Sequence, residues 1–292
     1  MAEANNRSIS PIRIIFLFLL VIVLPLALGL TLAPRVIPKP KIAIVRLTYE
    51  IDSFTADLFK QQMAHVRNDP AYQGVVVIIN SPGGTASDSE EMFMEMLNTR
   101  RQMPVVASID FIAASGAYFT AVGADEIYAK SSAFVGNIGV IGLLPSGVFI
   151  EDDILTTGPY KYFGSTRDGE VRSIETLKFA FLNAVQTGRG DRLTADAEFL
   201  SRGEGFDGIR AQELGLIDGI ASTQDAIDRV ASLAGVKGYE VVEIFDLIFD
   251  EEDLFFFAYQ PAQQLDMERL WAQPTDLPPG YYYRYLKVNS VR

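Results

Sequence analysis

The stretch GVVVIINSPGG, residues 74–84, decides the fold. Gly74 to Ile79 is a short, wholly apolar run, which suits a strand buried on both faces of a parallel sheet. Asn80-Ser81-Pro82-Gly83-Gly84 then forms a loop, and a helix is predicted from about Ala86 to Arg101. Paired glycines let backbone N–H groups stay bare and approach a ligand closely, and the following helix adds its positive N-terminal end. Working outward, Lys41 to Thr48 alternates into a strand, and Ser53 to Arg67 has a helical period that Asn68-Asp69-Pro70 ends. Val105 to Ile109 is another buried strand, Ala114 to Val122 a buried helix, and Glu126 to Ala129 a strand. Strands alternating with helices in units of about 30 residues predict an α/β fold with mostly parallel pairing. One copy of the pattern fills about residues 41–245, with no internal repeat.

A second glycine-bearing turn follows the second buried strand. In Ala113-Ala114-Ser115-Gly116-Ala117, small residues surround one hydroxyl at the start of a helix. A serine so placed is suited to nucleophilic attack, with the Gly116 N–H available as an oxyanion donor. A plain N-cap serine beside a tight packing contact is the alternative, and either turn alone decides nothing.

Composition removes other chemistries. The 292 residues carry 25 Lys plus Arg against 37 Asp plus Glu, a formal charge of −12. No basic excess is present to neutralise phosphates, so a nucleic-acid partner is not expected. With 49 % apolar and 21 % charged residues the bulk of the chain is globular. Zero cysteines exclude disulfides, thiol nucleophiles and thiolate metal sites, and the single histidine, His65, excludes a multi-His metal centre. Any Ser-His-Asp triad must use that one residue. Arg189-Gly190-Asp191 looks like an adhesion tripeptide, but three residues recur by chance.

Residues 1–13 precede a charge-free apolar run, residues 14–33, IIFLFLLVIVLPLALGLTLA. Twenty residues at 1.5 Å each reach about 30 Å, the thickness of a bilayer core. A cleaved signal peptide is the alternative, since Thr31-Leu32-Ala33 loosely suits a signal peptidase, but signal h-regions span about 7–15 residues. An uncleaved transmembrane anchor is therefore expected, followed by a Pro-rich spacer at residues 34–40. Arg7 and Arg13 precede the run, and Arg35, Lys39, Lys41 and Arg46 follow it. That count alone would put the C-terminal side in the cytoplasm.

The segments INSPGG, ASGAYF, GADEIYA and VGNIGVIG, in this order and spacing, resemble the signal peptide peptidase family of serine proteases. The resemblance covers about residues 41–235 and extends to Gly205-Phe206-Asp207-Gly208 and to the run from Ala211 to Asp218. The single-copy length with an N-terminal anchor is similar to the short form of that family. The resemblance implies a Clp protease/crotonase-like spiral of ββα units, no metal or organic cofactor, and a catalytic domain outside the cytoplasm. It also implies a homo-oligomer acting on residual signal peptides or other hydrophobic unfolded segments.

The resemblance further implies a Ser-Lys dyad, with Ser115 on the nucleophile and Lys161 on the general base. Gly83 or Gly84, with Gly116, falls on the oxyanion hole. A lysine base must drop from about 10.4 to about 7–8, a change of about 4 kcal/mol that desolvation usually supplies. Tyr160, Tyr162 and Phe163 around Lys161 could exclude water. A surface lysine lying on aromatics is the alternative reading of that segment. Clp proteases place a histidine about 25 residues after the serine, where this chain has Asn137-Ile138-Gly139, so the triad reading fails. The family commonly has a second glycine where Ala117 stands and a serine where Asn137 stands. The Asn137 amide oxygen can accept from Lys161 as a hydroxyl does, which makes it a base-orienting residue.

Two other readings compete with the protease: a catalytically inactive membrane scaffold, for which Asn137 speaks, and a crotonase-type acyl-CoA enzyme, which would need carboxylate acid/base residues and no anchor. The protease domain is expected over residues 41–243. Residues 244–292 form an aromatic tail (Leu254-Phe255-Phe256-Phe257, then Tyr281-Tyr282-Tyr283-Arg284-Tyr285) expected to build the oligomer.

Overall fold

A computed structural model describes residues 11–36, 38–143, 157–158, 160–161, 164–249 and 280–284. The chain divides into two units, Met1–Lys39 and Pro40–Arg292. In the first, the apolar run is helical but is not one helix. It consists of α1 (Pro11–Phe18), a π segment (Leu19–Val23) and α2 (Leu24–Val36). The Leu24 N–H donates to Leu19 O, five residues back, and the next residue, Pro25, has no N–H to give. A wide turn just before a proline is how a helix absorbs that missing donor. The side chains from Phe16 to Leu24, with Leu26 and Leu28, are exposed. Among the described residues no helix is long and apolar enough to cross a membrane, so the expected single span over residues 14–33 becomes a helical run in three pieces.

The second unit runs β1 (Lys41–Leu47), α3 (Ser53–Asn68), β2 (Tyr72–Ser81), β3 (Gly83–Thr85), α4 (Ala86–Arg100), β4 (Val105–Ala114), α5 (Gly116–Ala121), β5 (Glu126–Ala129), β6 (Phe134–Gly136) and β7 (Ile141–Leu143). Then follow α6 (Arg167–Arg189), α7 (Ala197–Leu200), β8 (Gly205–Asp207), α8 (Gly208–Glu213), β9 (Gly219–Ile220), α9 (Thr223–Leu233), β10 (Glu240–Glu243), α10 (Phe245–Ile248) and β11 (Gly280–Arg284).

The main sheet has the order β10-β1-β2-β4-β5-β9, and every neighbouring pair in it is parallel. Its central strands show why residues 74–79 lack polar residues. Ala43, Val45, Val75, Val77, Val105 and Ala107 face a core shared with Phe59, Met63, Met92, Met96 and Phe119. Their alternates Ile42, Ile44, Val76, Ile78 and Val106 face Ala226, Ile227 and Val230 of α9. Helices cover both faces, so both sets of alternating side chains are apolar.

β4 is longer than the expected strand at Val105 to Ile109 because it has two successive partners on one side. Val106 to Ile109 pair with β5, and Ile112 to Ala114 pair with β6. The second partner carries β4 on to Ala114, and α5 starts only at Gly116 rather than at Ala114. β8 then pairs antiparallel with β6.

A buried charge network fastens α6 to this sheet. The Arg189 side chain is 1 % exposed; its Nη1 and Nη2 donate to Asp218 Oδ2 and Oδ1 at 2.7 and 3.1 Å, and its Nε to Gly215 O at 2.8 Å. Asp218 also accepts from Ile127 N–H at 2.7 Å and Arg192 Nη1 at 3.0 Å. The arginine of the adhesion-like tripeptide is thus a structural residue inside the molecule. Burial alone would raise the Asp218 carboxyl, but Arg189, the Ile127 amide and Arg192 outweigh it and hold it below its ordinary value. A depressed carboxylate stabilises the fold above its unfolded pKa, and that contribution is lost as pH falls through the folded value. Asp218→Asn is expected to cost roughly 3 kcal/mol at neutral pH, because Arg189 keeps its burial without a counter-charge. Denaturant unfolding checks it, and the gap from wild type should close as the solution is acidified.

Candidate active site

β2 and β4 are adjacent and parallel, and Ser81 pairs with Ala113 across an irregularity after Ile79. That register brings the two glycine-bearing turns side by side at the C-terminal ends of the strands, where open α/β sheets bind ligands. The first turn is closed by backbone. Ile51 N–H donates to Gly83 O and Thr85 N–H to Ile51 O, both at 2.9 Å. A Cβ on Gly84 would lie 1.8 Å from Ile51 O, so only glycine fits there. Gly83 has φ +91°, and its N–H donates to Ser81 Oγ at 3.2 Å. The Gly83 donor is thus engaged by Ser81 Oγ, while Gly84 pairs with Tyr283 of β11. The turn therefore carries a short strand, β3, where the sequence suggests only a loop.

Ser115 occupies the second turn. It is 1 % exposed and holds φ +55°, ψ −123°, a conformation that a residue with a Cβ rarely adopts. Such strain costs on the order of 1–3 kcal/mol and persists where the surroundings enforce it. Here Ser115 N–H donates to Gly136 O at 2.8 Å, and Ser115 O accepts from Phe119 N–H at 2.9 Å. A sharp strand-to-helix turn that lifts a serine hydroxyl above a sheet is a recurrent way to present a nucleophile. α5 is anchored beneath it by Tyr118, fully buried, whose hydroxyl donates to Leu216 O at 2.7 Å. Burial pushes that phenol well above its ordinary pKa, so it acts as a neutral donor.

Asn137 is the next residue after Gly136, which accepts from Ser115, so the fold brings Asn137 to the same turn. It too has positive φ, +53°, a conformation asparagine tolerates. Its N–H donates to Glu204 O at 2.9 Å and its Nδ2 to Gly203 O at 2.7 Å. The Nδ2 end of the amide is thus turned to Gly203, and its oxygen is the end suited to a cation.

Lys161 lies exposed in a turn, with its N–H donated to Gly158 O at 3.1 Å. Tyr160 is half-exposed, and Tyr162 and Phe163 lie outside the described residues, so no desolvating aromatic enclosure forms among the residues described. His65 packs edge-to-face on Tyr72, ring centroids 5.8 Å apart. Tyr72 opens the ten-residue β2, so at about 3.3 Å per residue it lies about 30 Å from the end where Ser115 sits. His65 is half-buried, and it takes no part in the site. Among the described residues no cluster of three or more His, Asp or Glu is placed to hold a metal.

The sequence reading missed two contributors. Gly136 O fixes Ser115, and nothing in a lone glycine signals that. β11 pairs antiparallel with both β3 and β7, in the order β3-β11-β7, which places this part of the tail beside the Gly83-Gly84 turn.

Comparison with known proteins agrees with this geometry. Residues 98–237 match the model of peptidase family S49. A putative protease of Synechocystis sp. is 32 % identical over 212 residues, covering 68 % of this chain and 76 % of that one. A putative signal peptide peptidase of Enterococcus faecium is 31 % identical over 200 residues, covering 63 % of this chain and 58 % of that one. A variant of a membrane-bound stomatin-specific protease, solved with a substrate peptide, aligns with a TM-score of 0.52 at 14 % identity. That alignment covers 77 % of this chain and all of the other, a likeness of fold. On the mixed α/β sheet, the two joined turns and these relatives together, the chain belongs to peptidase family S49, a serine protease acting on peptides.

Proposed function

We propose that this chain is a membrane-anchored serine endopeptidase that works through a Ser115–Lys161 dyad. The observation that carries the reading is the meeting of the strained Ser115 turn with the Gly83-Gly84 turn at the ends of β2 and β4. In the reaction, Lys161 Nζ takes the Ser115 Oγ proton as Oγ attacks the peptide carbonyl. The amides of Gly84 and Gly116 receive the oxyanion. The protonated lysine returns its proton to the leaving amine, and a water activated by the same lysine releases the acyl group. Asn137 Oδ1 orients the ammonium.

The substrates are residual signal peptides or other hydrophobic unfolded segments, in keeping with the Enterococcus relative's name. Residues 14–33 act as the anchor, supported by their freedom from charge and their exposed apolar side chains. The domain after it lies outside the cytoplasm. Assembly as a homo-oligomer is supported by exposed apolar side chains on α6, Val171 and Phe179 among them.

A buried Ser115 and an exposed Lys161 favour one rival, an inactive scaffold of the same fold. A fluorophosphonate probe separates the two. The protease is expected to carry the label on Ser115, located by peptide mass mapping, at a rate that rises toward alkaline pH. An unlabelled protein, or a label on another residue, would overturn the dyad.

A further inference from the structure

A cavity of about 100 Å³ lies between the end of β1, α3 and α10, with Tyr49, Leu58, Gln62, Phe245 and Asp246 in its wall. A void of about 150 Å³ takes benzene, so this one suits a group of about five heavy atoms. The wall holds an unmet acceptor. Gln62 is 1 % exposed; its Nε2 donates to Leu58 O at 3.3 Å, while its Oε1 is buried with no hydrogen-bond partner among the described residues. A carbonyl oxygen left so is destabilising until a donor meets it. The rim supplies charge. Arg46 forks onto Glu243, Nε to Oε2 at 3.0 Å and Nη2 to Oε1 at 2.5 Å, and Asp246 acts on the same guanidinium from further off. Two carboxylates thus face one guanidinium, which favours a cation in the space beside them. A metal ion would need more oxygen ligands, and no cluster of three or more His, Asp or Glu stands among the described residues. The remaining wall, Tyr49, Leu58 and Phe245, is apolar and aromatic, a surface that takes an alkyl stem and tolerates a cation on its rings.

We propose that this cavity binds a primary alkylammonium, its N–H donating to Gln62 Oε1, its charge facing Asp246 and its stem lying on Tyr49, Leu58 and Phe245. A lysine side chain and a free aliphatic amine share that chemistry. The cavity's place gives it a use, and that use rests on the protease reading. Leu47 pairs with Ile79, and the backbone of Ile51 is bonded to Gly83 and Thr85. Tyr49 is therefore two residues from the wall of the first glycine-bearing turn. Targeting segments carry basic residues ahead of an apolar run. A lysine held in the cavity would leave the apolar run that follows it within reach of the two turns.

The test uses the full chain in detergent, with Ser115→Ala throughout so that no cleavage intervenes. Three probes are titrated by ligand-observed NMR: n-butylammonium, the neutral n-butanol, and an end-blocked tripeptide with lysine between two glycines. The ammonium should bind with a Kd of about 1 mM, and the alcohol about tenfold more weakly. Asp246→Asn, on the exposed rim, should weaken the ammonium about tenfold without disturbing the fold, and Gln62→Leu should do so by removing the acceptor. Equal binding of ammonium and alcohol, no saturable binding, or an unchanged affinity in Asp246→Asn would overturn the inference. A tripeptide that binds and displaces the amine makes the ligand a lysine side chain. If the amine binds and the tripeptide does not, the ligand is a free amine; the cavity assignment stands and its link to substrate falls. Fluorophosphonate labelling of Ser115 in the unaltered chain reads the protease separately, so either reading can fail alone.

Discussion

Ser115→Ala should lower peptide hydrolysis by about 10⁴-fold or more while leaving the fold intact. The magnitude is that of removing the nucleophile from residues that act as a unit. The fold should survive for a local reason. Alanine has the same Cβ as serine, so it meets the same strain at φ +55°, and the interactions that hold the turn are backbone ones, Ser115 N–H to Gly136 O and Phe119 N–H to Ser115 O. Loss of one oxygen among small neighbours leaves little cavity. Turnover of a fluorogenic apolar peptide, measured beside the thermal midpoint, checks both halves. Wild-type turnover in the alanine protein would remove Ser115 from the mechanism.

Lys161→Ala should be nearly as damaging, and its effect should not add to the first. A serine hydroxyl without its base is a weak nucleophile, so losing either partner removes most of what both supply. The double variant should be no slower than Ser115→Ala alone. In wild type the rate should climb toward alkaline pH, because a lysine accepts a proton only after losing its own. A rate that instead levels through the histidine range, about 6.5, would name a different base, and His65 is the only histidine available. Its place on Tyr72, far down β2, speaks against that outcome.

The parallel sheet was legible in the sequence because its central strands are buried on both faces and so are almost wholly apolar, Ser108 of β4 being an exception. The two turns were legible for a related reason. Ser115 and the paired glycines sit where the chain leaves a strand for a helix, and small residues mark such corners. The ends of elements were less readable. β4 continues to Ala114 because β6, about twenty residues onward, pairs with its tail, and no local pattern announces a second partner. Nothing near Arg189 in the sequence signals its burial, since charged residues are usually exposed. Its burial depends on Asp218, which arrives from a distant segment. Lys161 was read from a resemblance and from neighbouring aromatics, of which only the half-exposed Tyr160 lies among the described residues. The tail's aromatic run suggested association, but which edge Gly280–Arg284 would join depended on β3 and β7, elements of three residues each that have no pattern of their own.

The outer pairing of β1 has a consequence for how the molecule is made. Lys41 to Ile44 lie beside Glu240 to Glu243, nearly two hundred residues later in the chain. α9, which covers Ile42 and Ile44, is almost as distant. At about 5–20 residues per second of synthesis, β1 waits roughly 10–40 seconds for both. Through that interval a nascent chain holds one of its most apolar strands with an open edge and a bare face, and contacts this distant in sequence form slowly. The two glycine-bearing turns and the strand that holds Ser115, built from residues 81 to 137, emerge well before the segment that completes the sheet. β11, which pairs with β3 at the first of these turns, follows every other described element in the chain, so both turns leave the ribosome before that partner does.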